Sequence, residues 1–444
     1  MGRARLITAA SFTGSLGWGT ILPFQYAYVV DARHWGATVG MLTGTLFCLG
    51  AVVAAPVAGR LADRYSAGRV AVMVSLLAAV ATLGMGLAGT VTTFLAGMLV
   101  FGAAVTAAAP ATQVLVLESV PADQRRAVFA YQFTGMALGM AVGAFAAGLV
   151  VDLETPNGMW PAFATATLGF VMTAALLAAA TRSTQPADRA SRAHMVSTSS
   201  TADAPRDGWQ TYRYLLRNRP VRLLGLLSIA LAAGFYAQFE TGLPAFALQS
   251  LSVEPTVVGT AAAVNCLVIV GLQWLVVRLT RNHDGAGLLA VVGAIWVGSW
   301  LLLEAALFVS PQVASTLFVV AFAIFAVGET MYAPILSPLT AAVAPAGLVG
   351  TTLGALAALR TGISAVGPLV AGALLAFDLP HVFVLAHVVI NVVAIVLALR
   401  LFRTPTVAET SSPTPSQADT DLDTVEDGAS GRSGSPDAEP APAV

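Results

Sequence analysis

Gly59-Arg60-Leu61-Ala62-Asp63-Arg64-Tyr65-Ser66-Ala67-Gly68-Arg69 separates two long apolar runs, residues 37–58 and 70–90, and places four charges between stretches that carry almost none. About 20 apolar residues, rising 1.5 Å each, cross a hydrocarbon core of roughly 30 Å. The segment therefore reads as a short polar turn between two membrane-spanning helices. Outward from it the same alternation continues. Of 444 residues, 10% are charged and 57% hydrophobic, where a soluble chain has about a quarter charged. Twelve spans are expected, at 7–30, 37–58, 70–90, 92–118, 127–151, 159–181, 221–246, 256–279, 286–308, 312–343, 348–376 and 380–402. The first run continues past Pro23 without a small-x-small cleavage site, so it reads as a retained span rather than a signal peptide. Leu6 stands where a myristoylation signal needs Ser or Thr.

All 22 basic residues are arginine, and positive loops stay in the cytoplasm. With the N-terminus inside, twenty arginines fall on the cytoplasmic side, Arg33 falls outside and Arg360 lies within the membrane. The reading is thus a multi-pass protein of the inner (plasma) membrane with both termini cytoplasmic. The absence of lysine excludes a Walker-type phosphate loop and a Schiff-base enzyme. Cys48 and Cys266 sit in spans of opposite halves and form no CxxC, and the five histidines make no HExxH spacing. No cofactor, metal, enzymatic activity or nucleic-acid partner is expected, and the chain is expected to act as a monomer in the lipid bilayer.

Residues 182–220 are polar and divide the chain into 1–181 and 221–402, each with six spans; the Pro/Ser/Asp-rich tail 403–444 reads as a disordered cytoplasmic segment. A shift of 224 residues aligns Pro110 with Pro334, Pro121 with Pro345, Gly143 with Gly367, Ala147 with Ala371 and Gly148 with Gly372. A shift of 221 aligns Thr20, Leu22 and Pro23 with Thr241, Leu243 and Pro244. Helices n and n+6 therefore correspond, as in a duplicated bundle. The fold expected is all-α and integral to the membrane, with twelve transmembrane helices in two pseudo-symmetric six-helix bundles. Gly135, Gly139 and Gly143 line one face of the fifth span, suiting either ordinary helix packing or a rocking interface.

Gly59 to Arg69 resembles the signature loop of the major facilitator superfamily, with one extra residue before Gly68. In the physics of the loop, Gly59 ends a helix, Asp63 accepts bonds from a neighbouring helix N-terminus, and Arg64 and Arg69 supply opposing charge. The resemblance implies a latch made of Gly59, Asp63, Arg64, Gly68 and Arg69 that closes the cytoplasmic side in the outward-open state. Glu118-x-x-Pro121-x-x-x-Arg125 is similar to the family's ending of the fourth span. Gly367-Pro368-x-x-Ala371-Gly372 looks like the helix bend of its antiporters, although it stands in the eleventh span and the fifth has Gly143-Ala144. Met98 occupies the position where many drug exporters of the family carry an arginine, so a relay through that arginine does not transfer.

Ionisable groups at bilayer depth cost several kcal/mol unless paired or hydrated. Glu329 and Arg360 lie at matching depths in the tenth and eleventh spans and suit an ion pair that either neutralises itself or breaks on protonation. Glu240, beside Tyr236, Gln238 and Thr241 in the seventh span, has no basic partner in its own span. A desolvated carboxyl tends to take up a proton, which suits proton coupling or recognition of a cationic substrate. Glu304 reads as structural, close to the outer interface. Further ligand contacts are expected from Trp18, Gln25, Gln113, Tyr131, Gln132, Tyr236, Asn265 and Tyr332, while Tyr28, near a span end, reads equally as an interface anchor. Apolar walls with few charges favour a lipophilic or amphipathic compound over a sugar phosphate. The expectation is a secondary transporter, resembling the twelve-span drug:proton antiporters, that exports such a compound against protons by alternating access. The alternatives are a carrier for a metabolite such as an amino acid or sugar, and a receptor or scaffold that keeps the fold without transport.

Overall fold

The computed structural model describes residues 2–182, 208–239 and 241–404. Its spans are α1 (Gly2–Ile21), α2 (Ala37–Arg64), α3 (Ala67–Gly86), α4 (Val91–Ser119), α5 (Arg125–Val150), α6 (Trp160–Arg182), α7 (Arg219–Leu231), α8 (Pro255–Thr280), α9 (Gly285–Ala306), α10 (Pro311–Val343), α11 (Val349–Ala376) and α12 (Pro380–Phe402). Among the described residues, eleven helices are long and apolar enough to cross a membrane. The twelfth is α1, which is rich in Gly, Ser and Thr and is carried on by a broken continuation. The fold is two six-helix bundles. One apolar core draws on residues 215–401 and two others on residues 7–180, the last admitting Leu353 from α11.

The first and seventh spans break where the sequence repeat puts Pro23 and Pro244. Pro23 has no N–H to give, and after Ile21 the chain turns before resuming at Gln25–Ala27 and a π-helical turn at Tyr28–Ala32. The seventh span runs from α7 into a π-helical turn at Ala232–Tyr236, then Ala237–Phe239, and restarts at Gly242–Ser250. Broken helices are tolerated in a membrane where protein or internal water satisfies the freed backbone groups.

The repeat also has a physical counterpart. A Cβ on Gly143 would strike the carbonyl oxygen of Leu16, and one on Gly367 would strike that of Ala237. Leu16 and Ala237 are related by the same shift of 221 that relates the two prolines. Each bundle therefore contains the same close crossing, fifth span on first and eleventh on seventh. Gly139 likewise meets the backbone of Phe12, and Gly135 lies over Thr8. The glycine stripe of α5 thus binds two helices of one bundle and is not a rocking surface. Pro368 sits inside α11, which continues unbroken past it, and Gly372 is exposed with open space around it.

One expectation is corrected. Gly59 does not end a helix, because α2 continues to Arg64 and stops at the extended Tyr65. Within the polar linker, Gly208–Arg217 is an amphipathic helix that buries Thr211 and Leu215, and the Arg60 guanidinium lies 5.4 Å from the Tyr212 ring centre. The tail beyond Thr404 lies outside the described residues.

The crossing predicts a contrast between two glycines of one helix. Gly367→Leu forces α11 off Ala237 and, at about 1–3 kcal/mol for overpacking, lowers the melting temperature of the purified protein. Gly372→Leu, where nothing lies within 4 Å, leaves it unchanged.

Candidate functional site

The membrane-embedded polar groups converge in the second bundle. Glu329, on α10, is 5% exposed and lies roughly 21 Å from Val343 at 1.5 Å per residue, near mid-membrane. Its Oε2 accepts a hydrogen bond of 2.9 Å from Asn265 Nδ2 on α8, and the Tyr236 hydroxyl, at the end of the π-helical turn, faces the same carboxyl. Tyr236 packs against Tyr332 with ring centres 5.3 Å apart, and Trp296 stands 5.8 Å from the first ring and 5.9 Å from the second. Arg360 of α11 donates from Nη1 to the Tyr332 hydroxyl at 3.3 Å. The expected ion pair is not made: no salt bridge joins Glu329 to Arg360, and the two tyrosines stand between them. Rotation of each helix about its axis decides this. Matching depth along neighbouring spans brings two residues level, but only facing sides bring them into contact.

The π-helical turn aims Tyr236. A widened turn leaves a carbonyl without its usual amide, and here the carbonyl of Gly234 accepts from Trp300 Nε1 at 2.7 Å and Asn391 Nδ2 at 3.1 Å. Gln238, one turn on, donates to the carbonyl of Gly367 at 3.2 Å. Sequence reasoning misses Trp296, Trp300 and Asn391. Their only signal is a polar or indole side chain inside an otherwise apolar span, which ordinary interface or core packing accounts for equally well.

The other candidates lie apart from this cluster. Gln132 donates to Ser11 within the first bundle at 3.1 Å. Gln25 and Gln113 are half-buried, and among the described residues they form no hydrogen bond to the cluster. Glu240 lies outside the described residues. Met98 is buried in the core of the first bundle, and Glu304 accepts or shares a proton with His381 Nδ1 at 2.7 Å, on the half-exposed rim.

A second polar constellation joins the bundles at the Asp63 end. The first turn of a helix exposes amides that need acceptors, and α11 has none of its own, since its cap position is Leu348 and makes no side-chain bond. Asp63 of α2 supplies them: Oδ1 accepts from Gly350 N at 2.6 Å, and Oδ2 accepts from Thr351 N at 2.6 Å and Thr351 Oγ1 at 2.7 Å. The carboxylate also meets the positive end of the helix dipole. Close approach is possible because Gly59, Gly350 and Gly354 lack side chains; a Cβ on any of them would enter the backbone of the opposite helix. Gly350-x-x-x-Gly354 is the sequence signal for this. Arg126 makes a second tie, donating from Nη1 to the carbonyls of Thr280 at 2.7 Å and His283 at 2.8 Å at the end of α8. Arg125 instead closes its own bundle, donating to Leu117 and Val120 at the end of α4. Arg64 and Arg69 are exposed and do not pair with Asp63, while Gly68 is buried against Thr181.

Burial is lopsided in consequence. On α11, Gly350 to Gly354, Leu356 and Ala357 are buried, but farther along only Gly367 and Ala371 are. On α10 burial is nearly continuous from Phe325 to Thr340 and sparse before Ala321. The conformation is closed at the Asp63 end.

The sequence model of the Major Facilitator Superfamily matches residues 7–368. The chain belongs to this superfamily. Two solved structures of transporters share its fold. The human organic anion transporter MFSD10 (TETRAN) is 16% identical, with 89% of this chain and 99% of that one covered at a TM-score of 0.66. The proton:xylose symporter XylE bound to 6-bromo-6-deoxy-D-glucose is 12% identical, with 92% and 98% covered at a TM-score of 0.71. No curated protein matches the sequence. As a member of the superfamily, the chain is a secondary transporter rather than an enzyme by family.

Removing a helix cap costs about 0.5–2 kcal/mol, or roughly two- to thirtyfold in an equilibrium constant. In a background without Cys48 and Cys266, a cysteine replacing buried Thr352 is therefore expected to alkylate about that much faster when Asp63→Ala is added. An unchanged rate would show that the cap does not hold this end shut.

Proposed function

We propose that this chain is a proton-coupled transporter of a small amphipathic compound, working by alternating access, with Glu329 carrying the proton and Asp63 latching the cytoplasmic side. The observation that carries the reading is the setting of Glu329. Its carboxyl is buried at mid-membrane, and its partners there are an amide and a phenol rather than a cation. Such a group can be charged or neutral without stranding an opposite charge, and the difference of several kcal/mol between the two states at this depth is available to bias one conformation.

The sidedness comes from arginine. The end closed by Asp63 is the end where the basic loops lie, so it is the cytoplasmic face of the inner membrane, both termini are cytoplasmic, and the conformation faces outward. Both bundles belong to one chain, and a single chain suffices. Export against protons is the direction implied by the likeness to the drug:proton antiporters. Three aromatic rings beside one guanidinium favour an amphipathic cargo over a sugar, whose hydroxyls need a wall of amides and carboxylates. A cationic drug is disfavoured, because it would meet Arg360.

The test is a screen of amphipathic compounds in inverted vesicles with and without an imposed pH gradient. Uptake driven by the gradient and abolished by a protonophore is expected. Glu329→Gln is expected to remove at least about tenfold of the gradient-driven rate while retaining exchange of cargo between equal concentrations. A variant that kept full gradient-driven transport would eliminate Glu329 as the proton site.

A further inference from the structure

We infer that the Arg360 guanidinium anchors an anionic group on the cargo, so that the compounds carried are amphipathic organic anions, with a carboxylate or sulfonate on Arg360 and an apolar body against Tyr236. The inference rests on the transport reading above and narrows its substrate class.

The argument begins with an unbalanced charge. Arg360 lies roughly 16 Å along α11 from Val349 at 1.5 Å per residue, far from either membrane surface. A guanidinium has five N–H donors and stays protonated in proteins. It cannot escape the cost of burial by releasing a proton, as a carboxyl can escape by binding one. Of its donors one is used, by the Tyr332 hydroxyl at 3.3 Å, which is long for a charge-assisted bond. Among the described residues no carboxylate lies within ion-pair distance, since Glu329 is held by Asn265 and the tyrosines intervene. Tyr236 and Arg360 are each half-buried, so part of each side chain is open rather than packed against protein. None of the remaining Arg360 nitrogens is walled in by protein without a partner. The free donors therefore point where a ligand can reach them.

The neighbours define the rest of the ligand. Tyr236 is the half-buried ring of the three; Tyr332 and Trp296 are buried and back it, with ring centres 5.3 to 5.9 Å apart, and Trp296 is fixed by its bond to the Phe325 carbonyl at 3.1 Å. A fork of N–H donors matches a carboxylate or sulfonate in two parallel bonds, and a flat apolar body then covers the open part of the Tyr236 ring. A neutral analogue of the same shape keeps the second contact and loses the first. A cation keeps the second and meets repulsion in place of the first.

The experiment uses the purified full-length protein in detergent and equilibrium dialysis of three probes of matched shape: naphthalene-2-sulfonate, the neutral naphthalene-2-sulfonamide, and a naphthylmethyl trimethylammonium cation. Wild type is expected to bind the sulfonate at least about tenfold more tightly than either other probe. Arg360→Gln is expected to lose that preference, Arg360→Lys to keep part of it, and Glu329→Gln to keep it all. The probe series on wild type needs no variant to fold. Equal binding of all three probes by wild type, which would follow were Glu240 the counter-ion, overturns the inference, as does an Arg360→Gln protein that retains the sulfonate preference. Should the sulfonate bind through Arg360 while no gradient moves it across proteoliposomes, the anion site stands and the transport reading falls.

Discussion

The first turn of α11 presents amides that its own sequence does not satisfy, and a carboxylate on another bundle satisfies them. Leu348 offers no side-chain acceptor at the cap position, so the acceptors come from Asp63, 287 residues earlier than Gly350 in the chain. A cap of this kind exists only while the two helix ends touch. Closure of this end of the molecule and completion of one helix are thus a single event, and the glycines at 59, 350 and 354 permit it by letting the two backbones touch where a Cβ would collide. Arg126 repeats the arrangement with the opposite sign, giving its protons to the terminal carbonyls of α8. Both ties are made by backbone groups that will find water when the bundles part, so each is worth little enough to be broken in every cycle.

Mid-membrane chemistry is kept apart from the latch. Glu329 and Arg360 share a cluster without sharing a bond, because Tyr236 and Tyr332 are interposed. A direct ion pair would have consumed both charges in holding two helices together. Separation leaves the carboxyl held by neutral donors and the guanidinium half-buried, the arrangement on which the proposed proton and anion roles rest. The π-helical turn that places Tyr236 is itself held by Trp300 of α9 and Asn391 of α12, so the geometry of the cluster depends on those two helices as well.

Much of the fold is legible in the sequence because a bilayer imposes strict rules. Lengths of apolar runs, the bias of arginine and the polar linker follow from the solvent. The register of the repeat is also readable, and its prolines fall where the first and seventh spans break. What is not legible depends on rotation of helices about their axes. Counting residues puts Glu329 and Arg360 at the right depth and suggests the wrong partner, since depth follows from counting but facing does not. Gly59 reads as a helix end because glycine commonly is one; only the approach of Gly350 reveals why a side chain is excluded there. Asp63 is readable as an acceptor for a helix N-terminus, but which helix requires the fold. Gln25, Gln113 and Gln132 have polarity in their favour and no geometry, and the structure leaves them outside the cluster.

The central claim is that closure at the Asp63 end and opening at the other are one rigid-body movement. Spin labels at Leu61 and Ala346 report the first end, and labels at Thr38 and Phe377 report the second. Pulsed electron-resonance distances for both pairs, recorded on the wild-type sequence otherwise intact in lipid nanodiscs from acid to alkaline pH, test it directly. The account predicts reciprocal populations: whatever fraction lengthens between Leu61 and Ala346 shortens between Thr38 and Phe377 at the same pH. Distances that change at one end while the other stays fixed, or that lengthen together, would contradict it.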